Sequence, residues 1–193
     1  MVKVFKIGEQ PLTISTVKKI IKEDLSISLS VSAKKKIKDS RKYLDEKITN
    51  SYEPIYGINT GFGSLCNHEI SKKDLGLLQK KLVLSHACGS GDVVPFEIVK
   101  IMILLKIQSL SYGYSAVQLK TVNRLIDMFN HNIIPVVYQQ GSLGASGDLA
   151  PLAHMSLPLI GEGEVNIAEI CDNGSYKKRK SSKILKEMNW EEI

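Results

Sequence analysis

Residues 141–165 read GSLGASGDLAPLAHMSLPLIGEGEV, a glycine-rich segment that runs directly into an apolar one. Three glycines within its first seven residues give that part no regular secondary structure by propensity. The apolar residues 149–160 predict a compact helix, because Asp148 stands near its N-terminus, where a carboxylate is favoured, and Pro151 is tolerated in a first turn. The glycine-rich part therefore needs a functional explanation.

A second glycine-rich segment, PIYGINTGFGSLCN at residues 54–67, also lacks a helical period. Outside the two segments, apolar residues recur at three- and four-residue steps that predict helices. The expected helix starts are marked by capping residues: Ser15, Ser32, Ser71 with Asp74, and Ser115 with Gln118. A short strand is expected at residues 2–7 and a hairpin around Asp172-Asn173-Gly174. The predicted fold is mainly α with a small β-hairpin, in one domain of residues 1–193.

Composition supports a folded chain. Of 193 residues, 43% are hydrophobic and 24% charged, which is enough for a core and unlike a disordered tail. The formal charge of +6 is diffuse and comes mostly from lysine. The one dense basic run, residues 177–180, is interpreted as a solvated turn or hairpin end. No nucleic-acid partner is therefore expected.

The cysteines and the N-terminus suggest a cytoplasmic location. Cys66, Cys88 and Cys171 form no C-x-x-C pair and fit neither a disulfide framework nor a zinc knuckle. Lysines and Glu9 interrupt the apolar stretch that a signal peptide would need. Residues 98–110 are apolar but too short to span a bilayer, so no membrane association is expected.

Three kinds of chemistry could use the glycine-rich segment 141–148. Phosphate binding is disfavoured because the Gly-Lys-Ser/Thr of a P-loop and the G-x-G-x-x-G of a dinucleotide fold are both missing. A serine-hydrolase elbow at Ser146 would need glycine where Asp148 stands. Alternatively, the amide nitrogen of Gly147 could attack the carbonyl carbon of Ala145. Loss of one water would close a five-membered ring. Loss of the Ser146 hydroxyl as a second water would leave an electrophilic methylidene-imidazolone.

Residues 141–165 resemble the signature of the aromatic amino-acid ammonia-lyases, and YGINTGFGSL at 56–65 resembles their active-site tyrosine loop. Within that family, the form GASGDLAPLAHM and the Leu-Ser-His-Ala at 84–87 are most similar to the histidine ammonia-lyase branch. The resemblance covers nearly the whole chain. It implies the N-terminal, helical portion of the family fold, without the long central helical bundle.

The resemblance also implies roles for individual residues. Ala145, Ser146 and Gly147 would form the cofactor, 4-methylidene-imidazol-5-one, autocatalytically. Tyr56 would be the general base, and because a phenol has a pKa of about 10, the site would have to stabilise its phenolate. His86 would bind the substrate imidazole. Each also has an ordinary alternative: a helix-start loop, a half-buried loop tyrosine and a hydrogen-bonded core histidine.

The reaction implied is elimination of ammonia from L-histidine to give trans-urocanate, with tyrosine and phenylalanine as alternative substrates. His154 matches the signature but is expected to have a packing role, and the four histidines lack metal-ligand spacing, so no metal is expected. Full-length members are more than twice as long and assemble as homotetramers. Three interpretations stay open: a fragment or split enzyme completed by a separate C-terminal chain, an inactive remnant, and a nucleotide-binding module.

Overall fold

The computed structural model describes residues 3–50, 53–63, 66, 70–141, 149–170 and 176–193. Seven α-helices lie within these ranges: α1 (Ile14–Lys22), α2 (Val31–Asn50), α3 (Leu75–His86), α4 (Phe96–Ser111), α5 (Leu119–Asn130), α6 (Leu149–Ser156) and α7 (Ser181–Glu187). The strands there are β1 (Val4–Ile7), β2 (Ser26–Leu29), β3 (Ser90–Val93), β4 (Ile134–Pro135), β5 (Tyr138–Gln140), β6 (Glu164–Ile170) and β7 (Tyr176–Lys180). Single 3-10 turns precede α3 at Lys72–Asp74 and follow α6 at Leu157–Ile160. The predicted mainly helical class is confirmed.

Helix α4 lies at the centre of the hydrophobic core. Its apolar residues cover more than one face, and Val99, Ile103, Leu104 and Ile107 are fully buried. Helices α1, α2 and α5 pack against it, together with β1 and β4. An all-round apolar helix of this kind is stable because neighbours cover it on several sides.

The parallel pair β1–β2 joins the N-terminus to this core. Val4 aligns with Ser26 and Ile7 with Leu29, so the predicted N-terminal strand is confirmed. Asn130, at the end of α5, fixes β2: its side chain accepts a hydrogen bond from the Ile27 amide at 2.8 Å and donates one to the Ile27 carbonyl at 3.0 Å. This two-way bond sets the position of β2 against α5.

Lys100, in α4, is a buried cation whose hydrogen bonds stabilise two turns of the chain. Its Nζ donates to Asp24 Oδ1 and to Asn132 Oδ1, both at 2.6 Å, and lies 4.9 Å from the centre of the Phe129 ring. Asp24 and Asn132 both have positive φ, at +46° and +53°, a conformation that Asp and Asn tolerate better than most residues. The hydrogen bond from Lys100 lowers the pKa of Asp24, although burial acts in the opposite direction.

The helix starts are shifted from the predicted capping residues. Thr13, rather than Ser15, caps α1, and Ser30, rather than Ser32, accepts the Ala33 amide at 3.1 Å at the start of α2. Ser71 and Asp74 do form a hydrogen bond, at 2.7 Å, but at a 3-10 turn. The predicted start at Ser115 is wrong, because α5 begins at Leu119 and no side chain caps it.

Two small antiparallel sheets are formed by the other strands of the described residues. β3 pairs with β5, and β6 lies between β4 and β7. The β6–β7 hairpin confirms the predicted one, while its turn at 172–174 lies outside the described residues. Residues 177–180 belong to β7 itself, which corrects the interpretation of that basic run as a turn or hairpin end. β5 leads into residues 142–148, and α6 follows them.

In the part of the chain that is described, every helix is too short or too polar to cross a bilayer.

Candidate active site

The turn that carries Tyr56 is closed by the side chain of Asn59. Its Oδ1 accepts the Ile55 amide at 2.6 Å, and its Nδ2 donates to the Glu53 carbonyl at 3.2 Å. Asn59 is only 7% exposed, so these bonds are shielded from competing water. The asparagine thereby fixes the backbone on both sides of Tyr56.

Thr60 stabilises the same turn through its side-chain hydroxyl. Its fully buried hydroxyl accepts the Gly57 amide at 3.2 Å and donates to the Gly61 carbonyl at 3.1 Å. Gly57 has a φ of +70°, and a Cβ there would lie 2.7 Å from Cε1 of Phe62. Position 57 therefore requires glycine for its conformation and for its space.

Gln79 attaches this turn to helix α3. Its Nε2 donates to the carbonyls of Gly57, at 3.1 Å, and Ile58, at 3.3 Å. Gln79 precedes His86 by seven residues, which places both side chains on one face of the helix. One face of α3 thus carries both the anchor of the Tyr56 turn and the candidate substrate-binding histidine.

Tyr56 has an accessible phenol with one backbone donor. The side chain is 61% exposed, and its hydroxyl oxygen accepts the Gly63 amide at 3.3 Å. This hydrogen bond orients the phenol oxygen towards the backbone of Gly63. The predicted general base therefore has the exposure and one of the hydrogen bonds that such a role requires.

His86 is oriented by the last turn of α3. Its Nδ1 lies 2.7 Å from the Leu82 carbonyl, which can only accept, so Nδ1 carries a proton. The Ser85 hydroxyl lies 3.2 Å from the same nitrogen. Within the described residues Nε2 has no hydrogen-bond partner and is available to a ligand.

Phe62 lies between the two candidate residues. Its ring centre is 5.5 Å from that of Tyr56 and 5.6 Å from that of His86, the latter in an edge-on arrangement. Favourable aromatic pairs have this spacing. Sequence reasoning missed both Phe62 and Gln79. The available signals were a bulky ring between two glycines and the seven-residue separation of Gln79 from His86.

The cofactor-forming residues predicted from the sequence, Ala145, Ser146 and Gly147, lie outside the described residues, but both flanks of the segment are described. Gly141 has a φ of +129°, and a Cβ there would lie 2.6 Å from the Cα of Gly89. The Cys88 thiol also donates to the Gly141 carbonyl, at 3.6 Å. Gly141, the last described residue before the segment, is therefore in direct contact with the chain that follows His86.

His154 makes a specific hydrogen bond as well as packing contacts. It is 7% exposed, and its Nε2 accepts the Gly89 amide at 2.8 Å. Its ring lies edge-on to Tyr138, with centres 5.2 Å apart. Burial lowers the pKa of His154, which favours the neutral ring that this bond needs. The packing role expected for His154 is thus only part of what it does.

Metal-ligating side chains are dispersed. Of the other two histidines, His131 bonds the Asp127 carbonyl at 2.8 Å, and His68 lies outside the described residues. Within the ranges that are described, no three His, Cys, Asp or Glu side chains cluster closely enough to hold a metal ion.

Comparison with known proteins places the chain in a family. The family model for "Aromatic amino acid lyase" matches residues 12–193. The chain belongs to the aromatic amino acid lyase family. This confirms the resemblance drawn from residues 141–165 and 56–65.

Relatives within the family include a histidine ammonia-lyase of Legionella pneumophila (strain Corby), which is 51% identical over 158 residues, or 80% of this chain and 30% of the relative. The solved structure of histidine ammonia-lyase from Trypanosoma cruzi has a TM-score of 0.83 at 30% identity, over 99% of this chain and 36% of that one. The structure of a tyrosine aminomutase from Streptomyces globisporus has a TM-score of 0.85, also at 30% identity, over 100% of this chain and 34% of that one. The chain spans about a third of the length of these relatives.

Proposed function

We propose that this chain supplies the N-terminal part of a histidine ammonia-lyase, which eliminates ammonia from L-histidine to give trans-urocanate. The observation that carries the proposal is that the rings of Tyr56 and His86 both contact Phe62, with His86 in α3 and the Tyr56 turn attached to that helix through Gln79. A base and an imidazole-binding group thereby face a common aromatic surface. The 51% identity to a histidine ammonia-lyase supports the choice of substrate.

Tyr56 would remove the β-proton of the substrate. The bond from the Gly63 amide and the rigid turn closed by Asn59 would hold the phenol oxygen in place. His86 would bind the substrate imidazole through Nε2, because its Nδ1 proton is engaged by Leu82. Such a bond discriminates against substrates whose ring has no polar group to offer.

The 4-methylidene-imidazol-5-one cofactor is proposed to form from Ala145, Ser146 and Gly147. The described flanks are compatible with this group, because Gly141, before the segment, and His154, in the helix after it, both contact Gly89. When present, the group supplies an electrophile that engages the substrate, a reactivity that ordinary side chains lack. Cyclisation releases two waters, one from the Ala145 carbonyl and one from the Ser146 hydroxyl.

The remainder of the site is proposed to come from further polypeptide, since this chain spans about a third of its relatives. That polypeptide would be a continuation of the chain or a separate C-terminal chain, in a cytoplasmic homotetramer. Tyr56 is 61% exposed, so it is accessible to such further polypeptide.

Mass spectrometry and turnover test the proposal together. The purified chain should be lighter than its sequence by two waters, and Ser146→Ala should keep the full mass. Urocanate formation should appear when the chain is combined with the remaining part of the Legionella relative as a separate polypeptide. Full mass in the wild-type chain would contradict cofactor formation, and two lost waters without turnover in any combination would indicate an inactive remnant.

Substrate choice has its own test, because the tyrosine aminomutase shares the fold at equal identity. His86→Leu should abolish histidine turnover, and the same change at the exposed His131 serves as the control. Tyrosine or phenylalanine turnover by the wild-type complex exceeding that of histidine would assign the other substrate class. Phosphate-dependent thermal stabilisation would instead favour a nucleotide-binding module.

A further inference from the structure

Gly89 is a junction where three separate elements meet. β5 reaches it through Gly141, α6 reaches it through His154, and α3 leads to it, because Gly89 lies three residues after His86. A Cβ at Gly89 would lie 2.8 Å from the Nε2 of His154 and 3.1 Å from the Cβ of Tyr138. The backbone at position 89 is thus enclosed by the residues on both flanks of segment 142–148.

We propose that His154 is a positioning residue, which fixes helix α6 against Gly89, and so against the neighbouring Gly141, by accepting the Gly89 amide. The consequence for catalysis rests on the proposed function: the same junction would set the cofactor-forming residues relative to His86. The Tyr56 turn is anchored separately, through Gln79, so the junction concerns the electrophile side of the site.

The chemistry of the bond defines the state of the ring. Because the Gly89 N–H can only donate, Nε2 must carry a lone pair, and a neutral His154 must have its proton on Nδ1. The bond is part-buried, so a Gly89 amide that lost its acceptor would become accessible to solvent exchange. Loss of the acceptor would therefore loosen the junction.

Paired variants separate the hydrogen bond from the volume of the side chain. His154→Gln retains an acceptor at similar reach, whereas His154→Leu removes it. Gly89→Ala keeps His154 but inserts a methyl group against its ring. The matched control is Gly76→Ala, because a Cβ at Gly76 meets nothing within 4 Å.

The first readout does not depend on the cofactor. Nitrogen-15 NMR of the wild-type chain should show His154 protonated at Nδ1. Hydrogen exchange of the Gly89 amide should accelerate about tenfold or more in His154→Leu and Gly89→Ala, and less than about threefold in His154→Gln. The amide shifts of Gly141 and Leu149 should move in the same two variants only. An Nε2-protonated ring, or unchanged Gly89 exchange in His154→Leu, would overturn the proposal.

The second readout is the rate at which two waters are lost after synthesis. It should slow about tenfold or more in His154→Leu and stay near the wild-type rate in His154→Gln and Gly76→Ala. A wild-type rate in His154→Leu would also overturn the positioning role. If the wild-type chain keeps both waters, the proposed function fails, while the exchange and shift measurements still decide the role of His154.

Discussion

At the scale of single residues, the candidate site depends on side chains that have no chemical role of their own. Asn59 and Thr60 shape the turn around Tyr56, and Gln79 attaches it to α3. The family resemblance predicts roles for Tyr56 and His86 because both lie in its motifs. It does not point to Asn59 or Gln79, because an amide that bonds to the backbone has no motif of its own, and the available signal for Gln79 is its separation of seven residues from His86.

Replacing Gln79 by methionine should loosen the Tyr56 turn. The change removes both donors to the Gly57 and Ile58 carbonyls while keeping the side-chain length. Because these carbonyls lie near the surface and can bind water, the loss in unfolding free energy should be about 1 kcal/mol. Amide exchange at Ile58 and Asn59 should accelerate, and kcat should fall more than KM rises.

The control for that change is Gln139→Met, because Gln139 also donates from Nε2 to a carbonyl, that of Val93 at 3.2 Å, but on β5. It should leave exchange at Ile58 unchanged. Equal exchange rates in Gln79→Met and wild type would show that the amide does not hold the turn.

The contact between Lys100 and Asp24 should make stability depend on pH. The pKa of Asp24 is lowered in the folded state, so its stabilisation is complete above the unfolded value of about 3.9 and is lost as pH falls through the folded pKa. Asp24→Asn should remove that acidic component. Its cost at pH 7 should be about 2 kcal/mol, because the buried Lys100 ammonium loses its counter-ion, while solvent around the exposed Asp24 carboxylate reduces the effect.

Lys100→Met should lower the free energy of unfolding less than Asp24→Asn does. Lys100→Met removes the buried charge and leaves Asp24 in water, whereas Asp24→Asn leaves a buried ammonium without its counter-ion. Urea unfolding of both variants between pH 3 and 7 measures the two effects. A wild-type acid dependence in Asp24→Asn would contradict this account.

At the scale of elements, periodicity located most helices and the strand at the N-terminus, but it did not locate their first residues. Runs such as Thr13 to Thr16 and Ser30 to Ser32 offer more than one capping hydroxyl within three positions. Which of them caps depends on where the chain enters the helix, and that is set by packing of β2 and α1 against the core. The start of α5 was missed because it has no side-chain cap at all.

Alanine at Ser30 and at Ser32 should distinguish the true cap of α2 from its neighbour. Ser30 is 3% exposed and accepts the Ala33 amide, so Ser30→Ala should lower the unfolding free energy by about 1 to 2 kcal/mol. Ser32 is exposed, and its replacement should cost about 0.5 kcal/mol or less. Chemical denaturation of both variants makes the comparison, and an equal cost would show that the cap is shared.

At the scale of the whole molecule, the elements around the candidate site expose part of their apolar side chains. None of the twelve residues of α3 is buried, and Leu77 and Leu84 are 54% and 41% exposed. On α6, Leu149 and Leu152 are 47% and 41% exposed. By contrast, nine of the sixteen residues of α4 are buried. This distribution agrees with the proposal that further polypeptide completes the site on the side of α3 and α6.

The expectation that residues 1–193 form one domain leads to a prediction about cooperativity. Core residues come from both ends of the chain: Ile7 and Ile184 belong to one cluster, and Trp190 packs against it. Arg124 Cζ lies 4.8 Å from the centre of the Trp190 ring, which also contacts His131. The fluorescence of Trp190 therefore reports on the C-terminal end and α5. If the chain unfolds as a unit, fluorescence, far-ultraviolet circular dichroism and the NMR signal of the Ile7 amide should give the same urea midpoint. An earlier fluorescence transition would show that residues near Trp190 unfold separately, and would divide the chain into two units.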